Sequence, residues 1–206
     1  MKHKSIFNAV AVAVVAVVFL MGFGVYAQTK SAPSVSTFKD SRDGKTYKSV
    51  KVGDKTWMAE NLNFATKGSK CYENKDANCA KYGRLYDWET AQKACPAGWH
   101  LPKDDEWTTL MVVVGDETAG TKLKSTAGWN KNGNGTNDFG FSALPGGYGS
   151  SGGSFFGVGS AGGWWSVMEH YFEGAGNRNM SDNSEGVYSI DYEDGRPLFS
   201  LRCAQD

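Results

Sequence analysis

An apolar stripe with helical spacing follows Pro102. Its members fall at i, i+3, i+4 and i+7 along the chain: Trp107, Leu110, Met111 and Val114. That spacing places them on one face of an amphipathic helix. Pro102 fixes its own φ and favours an extended Leu101, so the chain is predicted to run straight into the start of the helix. The stretch Cys95–Leu110 is therefore expected to organise the fold.

Three consecutive carboxylates, Asp104, Asp105 and Glu106, occupy the first turn of this helix. The positive end of the helix dipole stabilises negative charge at that position. An acid–base pair for catalysis is the alternative interpretation, and we favour the electrostatic one.

Alternating and helical patterns also precede this segment. The runs 47–52 and 55–60 are strand-like and are joined by Gly53-Asp54, which predicts a hairpin. Trp57 and Ala59 share one face of its second strand. Helical spacing then predicts a first helix over Tyr86–Ala94, which leads into Cys95.

Glycine dominates the next part of the chain. More than half of the 26 glycines lie between Gly115 and Gly163, where only 139–145 and 163–167 have strand-like patterns. Loops of this length are usually functional or disordered, but the aromatic residues here favour an ordered, packed region. Trp164 and Trp165 are either both core residues or one core residue and one exposed platform for a sugar ring, and we favour the core.

Two alternating strands are predicted at the end of the chain. They cover 186–190 and 198–204 and flank an Asp194-Gly195 turn. Phe199, Leu201 and Cys203 would form the core face of the last strand, with Ser200 and Arg202 on the other face.

The N-terminus has the pattern of a secretory signal over residues 1–27. Lys2 and Lys4 precede an apolar run, and Val25-Tyr26-Ala27 is a small-residue cleavage site. An uncleaved membrane anchor is the alternative, because the run approaches membrane-spanning length. Residues 28–37 read as a flexible linker and 38–206 as one domain, with no membrane contact beyond the cleaved signal.

Charge and cysteine content limit the function classes. The chain has 22 basic and 22 acidic residues, and removal of Lys2 and Lys4 leaves 20 basic residues and a net charge of −2. This balance gives no reason to expect nucleic acid as a partner. Four cysteines suit two disulfides in an oxidising compartment. Three connectivities exist; Cys71 and Cys79 bracket a short loop, which leaves Cys95 for Cys203.

Metal and catalytic patterns are weak. His100 and His170 are the histidines outside the signal, too few for a three-histidine zinc site, and His100 is expected to be structural. The loop 130–138 offers oxygen ligands that suit calcium, but it has one carboxylate, so an Asn/Gly turn cluster is favoured and no cofactor is expected.

Five ordered blocks resemble a known family: WMAENLNF (57–64), YGRLYDWETAQKACPAGWHLPKDDEW (82–107), GFSALPGGY (140–148), GGWWSVMEH (162–170) and the terminal SLRCAQD. They are similar to the Fibrobacter succinogenes major paralogous domain, a secreted bacterial family of unassigned activity. GWHLP…EW and LRC also resemble the wider C-type-lectin-like group, which includes the formylglycine-generating-enzyme fold. The resemblance implies an α+β, C-type-lectin-like domain with two helices, small antiparallel sheets, one of which joins the termini, and a long Gly-rich loop region.

Three departures limit what the resemblance implies. Lys103 stands where relatives have a capping Thr or Ser, so Asp104 is expected to cap the helix. The Glu-Pro-Asn type triplet of calcium-dependent lectins is absent. Formylglycine-generating activity needs a spare cysteine pair, which two disulfides would remove.

These observations predict a secreted or cell-surface, non-catalytic binding module for an extracellular glycan or a surface protein. An extracellular enzyme acting on polysaccharide or protein is the alternative. Polar side chains between 169 and 182 are the predicted ligand contacts because loops on a rigid scaffold carry recognition: Glu169, His170, Tyr171, Arg178 and Asp182. The sequence specifies no oligomeric state.

Export generates a first testable prediction. The exported protein should begin at Gln28, because signal peptidase would cut after Ala27. Intact-mass measurement of the exported protein checks this. Recovery of residues 1–27 on the membrane-bound protein would instead support the anchor.

Overall fold

The computed structural model describes residues 33–168, 174–192 and 197–206. Those residues form four α-helices and thirteen β-strands. The helices are α1 (Asp76–Tyr82), α2 (Trp88–Ala94), α3 (Asp104–Val114) and α4 (Ala119–Leu123). The strands are β1 (Val35–Lys39), β2 (Thr46–Val52), β3 (Lys55–Met58), β4 (Ser69–Lys70), β5 (Leu85–Tyr86), β6 (Trp99–His100), β7 (Gly146–Ser150), β8 (Phe155–Val158), β9 (Ala161–Met168), β10 (Gly174–Ser181), β11 (Tyr188–Tyr192), β12 (Pro197–Ser200) and β13 (Ala204–Gln205).

The helix count differs from the sequence prediction. Helices α2 and α3 were predicted, whereas α1 and α4 have seven and five residues. Such short segments cannot display a clear helical period. Helix α2 begins at Trp88 and not at Tyr86, because the Asp87 side chain accepts a hydrogen bond from the Thr90 N–H and caps it.

The start of α3 also differs in detail. Lys103 is its N-cap residue, and the Glu106 carboxylate accepts a hydrogen bond of 2.9 Å from the Lys103 N–H. The prediction that Asp104 caps the helix is therefore wrong. The predicted apolar stripe is confirmed, since all four of its members are buried: Trp107, Leu110, Met111 and Val114.

Two sheets divide the strands. The first has the order β1-β2-β3-β13-β6, is antiparallel and joins the first and last described strands, as the resemblance implies. The predicted hairpin around Gly53-Asp54 is its β2–β3 pair. Val35–Thr37 belong to β1, although the linker was expected to include them.

The second sheet has the order β11-β10-β9-β7-β12-β5-β4, with β8 paired to β7. It is mixed, because β7 and β12 each pair in parallel with β9, and in this it departs from the small antiparallel sheets that the resemblance implies.

The predicted C-terminal hairpin is also wrong. Strand β11 pairs with β10, and β12 pairs with β5, β7 and β9. The predicted last strand is split into β12 and β13, which lie in different sheets. Between them the Leu62 N–H donates to the Leu201 carbonyl, and the Met58 N–H donates to the Cys203 carbonyl. The chain therefore crosses from one sheet to the other. The predicted Asp194-Gly195 turn lies outside the described residues.

The Gly-rich region contains more regular structure than its sequence suggests. It holds α4, β7, β8 and the start of β9, which covers the predicted strand 163–167. The predicted strand 139–145 is absent from the described structure. Gly140 and Ser142 have φ values of +71° and +54°, which are incompatible with an extended strand.

Consecutive residues of β3 and of β9 lie in two different hydrophobic cores. Trp57 and Trp164 lie in a cluster with Trp107 and Phe141, whereas Met58 and Trp165 lie in a second cluster. Successive side chains of a strand point to opposite faces, so β3 and β9 are buried on both sides. Both Trp164 and Trp165 are fully buried, which confirms the favoured core interpretation.

Two disulfides connect these elements. Cys71 bonds to Cys79 and Cys95 bonds to Cys203, which is the pairing that the sequence favoured. Among the described residues, no helix has the length and apolar character needed to span a membrane.

The two disulfides should contribute unequally to stability. They close sequence separations of 8 and 108 residues. In the chain-entropy model, a longer closed loop removes more freedom from the unfolded state. Replacing Cys95 and Cys203 by Ala should lower the free energy of unfolding by about 5 kcal/mol, and replacing Cys71 and Cys79 by about 2.5 kcal/mol. Urea denaturation of both variants measures this. A larger loss for the short bridge would contradict it.

Candidate functional site

The predicted ligand contacts do not form one exposed cluster among the described residues. Glu169, His170 and Tyr171 lie outside those residues, so their predicted role stays a prediction. Arg178 and Asp182 are described, and both are buried.

Arg178 lies on β10 and faces α3. Its guanidinium donates to the Asp104 carboxylate, to the Asp104 carbonyl at 3.1 Å and to the Thr108 hydroxyl at 3.1 Å. Its side chain is 6% exposed. The expectation that Arg178 is a surface residue is wrong, because its charge is used to join the start of α3 to the second sheet.

Asp182 follows β10 and is also shielded. Its side chain is 4% exposed, and the Lys131 ammonium lies 3.7 Å from its Oδ2. Lys124, which is buried nearby, donates to the carbonyls of Ser181 and Ser184. Burial lowers the pKa of Lys124. These contacts fix the turn after β10 and leave Asp182 little surface for a ligand.

The loop considered for calcium uses its amides internally. The Asn134 side chain accepts from the Trp129 N–H, and the Asn137 side chain accepts from the Ser142 N–H. Asparagine side chains that bond to nearby backbone are typical of turns. Within the described part of the chain, no group of three or more His, Cys, Asp or Glu residues is arranged to hold a metal ion.

His100 contacts two carboxylates near the start of α3. Its Nδ1 lies 2.6 Å from Asp206, and its Nε2 lies 2.9 Å from Glu106. Glu106 also binds the Lys55 ammonium at 2.6 Å. Burial opposes ionisation of Glu106, but the donors around it outweigh burial and lower its pKa. Because both ring nitrogens are engaged by carboxylates, His100 holds β6, α3 and the C-terminus together, as its expected structural role requires.

A polar cleft of about 270 Å³ opens at the surface of the domain. It lies between β2, the segment after β3 and the end of α1. Its lining residues are Lys45, Thr46, Tyr47, Glu60, Asn61, Asn63, Cys79, Ala80, Lys81, Tyr82, Gly83 and Leu144.

Glycine is required where α1 ends at this cleft. Gly83 has a φ of +77°, in the left-handed region that favours glycine. A Cβ there would lie 2.7 Å from the Asn61 Cβ and 3.0 Å from the Leu62 carbonyl oxygen. Any other residue would push α1 away from the segment 61–63, so Gly83 allows the two walls to meet.

Asn61 forms the fixed floor of the cleft. Its amide nitrogen donates to the Tyr82 carbonyl at 2.8 Å, and its Oδ1 accepts from the Trp164 indole at 2.8 Å. The same oxygen accepts from Arg202 Nη2 at 2.9 Å. Since its donors and acceptor come from three separate parts of the chain, the Asn61 side chain is held in one orientation.

Arg202 is a fully buried cation beneath this floor. It donates to the carbonyls of Phe141 and Ser142 and lies 4.3 Å over the Phe141 ring. Burial lowers its pKa to about 9, which is still above neutral, so the group stays charged. Among the described residues it forms no ion pair with a carboxylate.

The rim of the cleft adds further charge. Lys45 donates to the Asn63 carbonyl and pairs with Asp43 at 3.0 Å, and Lys81 lies 4.8 Å over the Tyr82 ring. Glu60 is the acidic lining residue and accepts from the Lys48 N–H. Burial raises the pKa of the Tyr47 hydroxyl to about 12, so this group remains a neutral hydroxyl at ordinary pH.

The sequence prediction missed this cleft. Its walls come from separate segments between Lys45 and Leu144, and its floor depends on Arg202, which lies between β12 and β13. Two features of the sequence point to polar groups at this place. Polar residues interrupt the apolar segment 57–64 at Glu60, Asn61 and Asn63. Arg202 lies between the core residues Leu201 and Cys203.

The burial of Arg178 generates a stability prediction. Arg178→Ala should lower the free energy of unfolding by about 2–4 kcal/mol, because it leaves Asp104 without its cation and opens a cavity beside Met111. Lys93→Ala, at a side chain that is 75% exposed and pairs with the exposed Glu89, is the matched control and should change it by less than about 0.5 kcal/mol. Chemical denaturation measures both. A loss below about 1 kcal/mol for Arg178→Ala would show that the buried ion pair is dispensable.

Comparison with known proteins supports the family that the sequence blocks resemble. The model of the Fibrobacter succinogenes major domain matches residues 50–205. No curated protein and no solved structure matches the chain significantly. The matched range includes both disulfides and all lining residues of the polar cleft except Lys45, Thr46 and Tyr47. The chain therefore belongs to the Fibrobacter succinogenes major domain family.

Proposed function

We propose that this protein is an exported, non-catalytic binding module of lectin-like fold whose polar cleft binds an extracellular polysaccharide, with a preference for acidic sugars. The observation that carries the proposal is the polar cleft itself, in which amide, hydroxyl and charged groups converge over a floor that is fixed by Asn61.

The groups in the cleft suit hydroxyl-rich ligands. A few well-placed polar groups determine orientation and specificity in ligand sites. The Asn63 amide, the Tyr47 hydroxyl and the Glu60 carboxylate offer donors and acceptors at neutral pH. The volume of about 270 Å³ lies below the roughly 300–1,000 Å³ of pockets for drug-sized ligands, so the cleft would hold a small unit of a longer polymer.

The charge around the cleft favours an anion. Lys45 and Lys81 line it, and Arg202 lies below its floor without a carboxylate partner among the described residues. The negative charge of Glu60 offsets part of this positive potential, and the carboxylate of Asp43 offsets part of the positive charge of Lys45. Lys81 is the exposed ammonium that remains for a ligand carboxylate, and such a charge-assisted hydrogen bond is stronger than a neutral one.

Export is part of the proposal. Two disulfides are typical of proteins that fold in an oxidising compartment, which suits secretion or display at the cell surface. The segment 1–27 would serve as the secretory signal.

Calorimetric titration tests the ligand. The oxidised full chain is titrated with an oligosaccharide of galacturonic acid and with a neutral cello-oligosaccharide of equal length. The acidic oligosaccharide should bind more tightly. Lys81→Gln should weaken its binding about fivefold to tenfold through loss of a charge-assisted hydrogen bond, with little effect on the neutral sugar.

Lys51→Gln is the matched control. Lys51 is an exposed lysine on β2 that does not line the cleft. Equal weakening by both lysine variants would indicate general attraction to positive charge and would contradict a site in the cleft. Release of shorter sugars during the titration would support the enzymatic alternative.

A further inference from the structure

A second cavity lies between the turn of the β2–β3 hairpin and α3. We call it the apolar groove. Its volume is about 230 Å³, and its lining residues are Val52, Gly53, Asp54, Lys55, Trp57, Asp105, Glu106, Thr109, Leu110 and Val113. It shares no lining residue with the polar cleft.

The floor of the apolar groove is continuous with the core. Trp57 and Leu110 are almost fully buried and form its base. Val113 forms part of one wall and is 43% exposed, and the next residue towards the start of α3, Val112, is 66% exposed. A Cβ on Gly53 would lie 3.1 Å from a Val113 methyl group, so the hairpin turn rests against α3 at one end of the groove.

The rim of the apolar groove is acidic. Asp54 comes from the hairpin turn and Asp105 from the first turn of α3, so the two walls each contribute a carboxylate. Lys55 also lines the groove, but its ammonium is bound to Glu106, which His100 contacts as well.

The carboxylates of Asp54 and Asp105 have fewer polar contacts than that of Glu106. Among the described residues, the Asp54 carboxylate has neither a hydrogen bond nor an ion pair, and the Asp105 carboxylate accepts one hydrogen bond, from the Glu106 N–H. The rim therefore keeps two negative charges that no described cation neutralises.

We propose that the apolar groove binds a segment of a partner protein that inserts a lysine or arginine flanked by apolar side chains. The aliphatic stem of such a side chain would pack on Trp57 and Val113 while its charged end reaches Asp54 and Asp105. Lysine and arginine combine an apolar stem with a charged end in this way. The volume suits one anchoring side chain, the unit that dominates many protein interfaces.

Peptide titration tests the proposal, which does not rest on glycan binding. The full chain, labelled with ¹⁵N, is titrated with acetyl-Ala-Leu-Lys-Leu-Ala-amide and followed by two-dimensional NMR. Matched peptides carry norleucine or glutamate in place of the lysine. The lysine peptide should shift the amide signals of 52–57 and 105–113 and bind at least threefold more tightly than either matched peptide.

Charge-removal variants test which carboxylates act. The double variant Asp54→Asn/Asp105→Asn should weaken binding of the lysine peptide about threefold to tenfold. The double variant Glu89→Gln/Glu117→Gln removes the same charge from exposed positions that do not line the groove and should leave binding unchanged. Higher salt should also weaken binding of the lysine peptide to the wild type, because exposed ion pairs are screened.

Several outcomes would overturn the proposal. Norleucine or glutamate peptides that bind as tightly as the lysine peptide would exclude a charged anchor. Shifts of the groove signals with protein concentration alone would assign the groove to a second copy of this chain. Shifts confined to the lining of the polar cleft would place the peptide there, and an absence of shifts with every peptide would reject the site.

Discussion

The buried guanidinium of Arg202 is the interaction on which the arrangement of both cores depends. It is fully buried and is held by the Asn61 amide oxygen, two backbone carbonyls and the face of Phe141. A buried charge is costly unless hydrogen bonds replace its hydration. Because these partners come from the segment after β3 and from the Gly-rich region, whereas Arg202 itself lies between β12 and β13, the cation is stable only when all three segments are in place. Its solvation thus links parts of the chain that are far apart in sequence.

Asn61 connects the buried Arg202 to the floor of the polar cleft. Its oxygen is shared between Arg202 and the Trp164 indole, and its nitrogen donates to the end of α1 at Tyr82. The floor of the polar cleft is therefore positioned by the core. Sites held by rigid elements are more exact than sites built on loops alone. The same geometry explains the glycine at position 83, since the two walls approach too closely for a side chain.

Local patterns predicted the elements that depend on local physics. The stripe of α3, the β2–β3 turn and both disulfides follow from periodicity, turn residues and loop length, and the structure has them. The pairing of β11 and β12 with other strands could not be predicted, because alternation specifies which face is apolar and not which strand lies alongside. Arg178 was assigned to the surface for a related reason: its cation is neutralised by Asp104 from a distant helix. The polar cleft was missed because Arg202 and Asn61 are 141 residues apart, and no local pattern shows that they are in contact.

The first turn of α3 shows how one cluster of like residues acquires three different functions. Asp104 binds Arg178 of the second sheet, and Glu106 caps the helix while it binds Lys55 and His100 of the first sheet. Asp105 lines the apolar groove beside Glu106 and, among the described residues, has no cation partner. The helix dipole favours all three carboxylates equally, so it accounts for their presence but not for their separate partners. Those partners follow from the position of α3 between the two sheets, with one carboxylate directed to each sheet. The third gives the apolar groove an acidic wall where the helix begins, and it is the carboxylate to which we assign the proposed recognition of a cation.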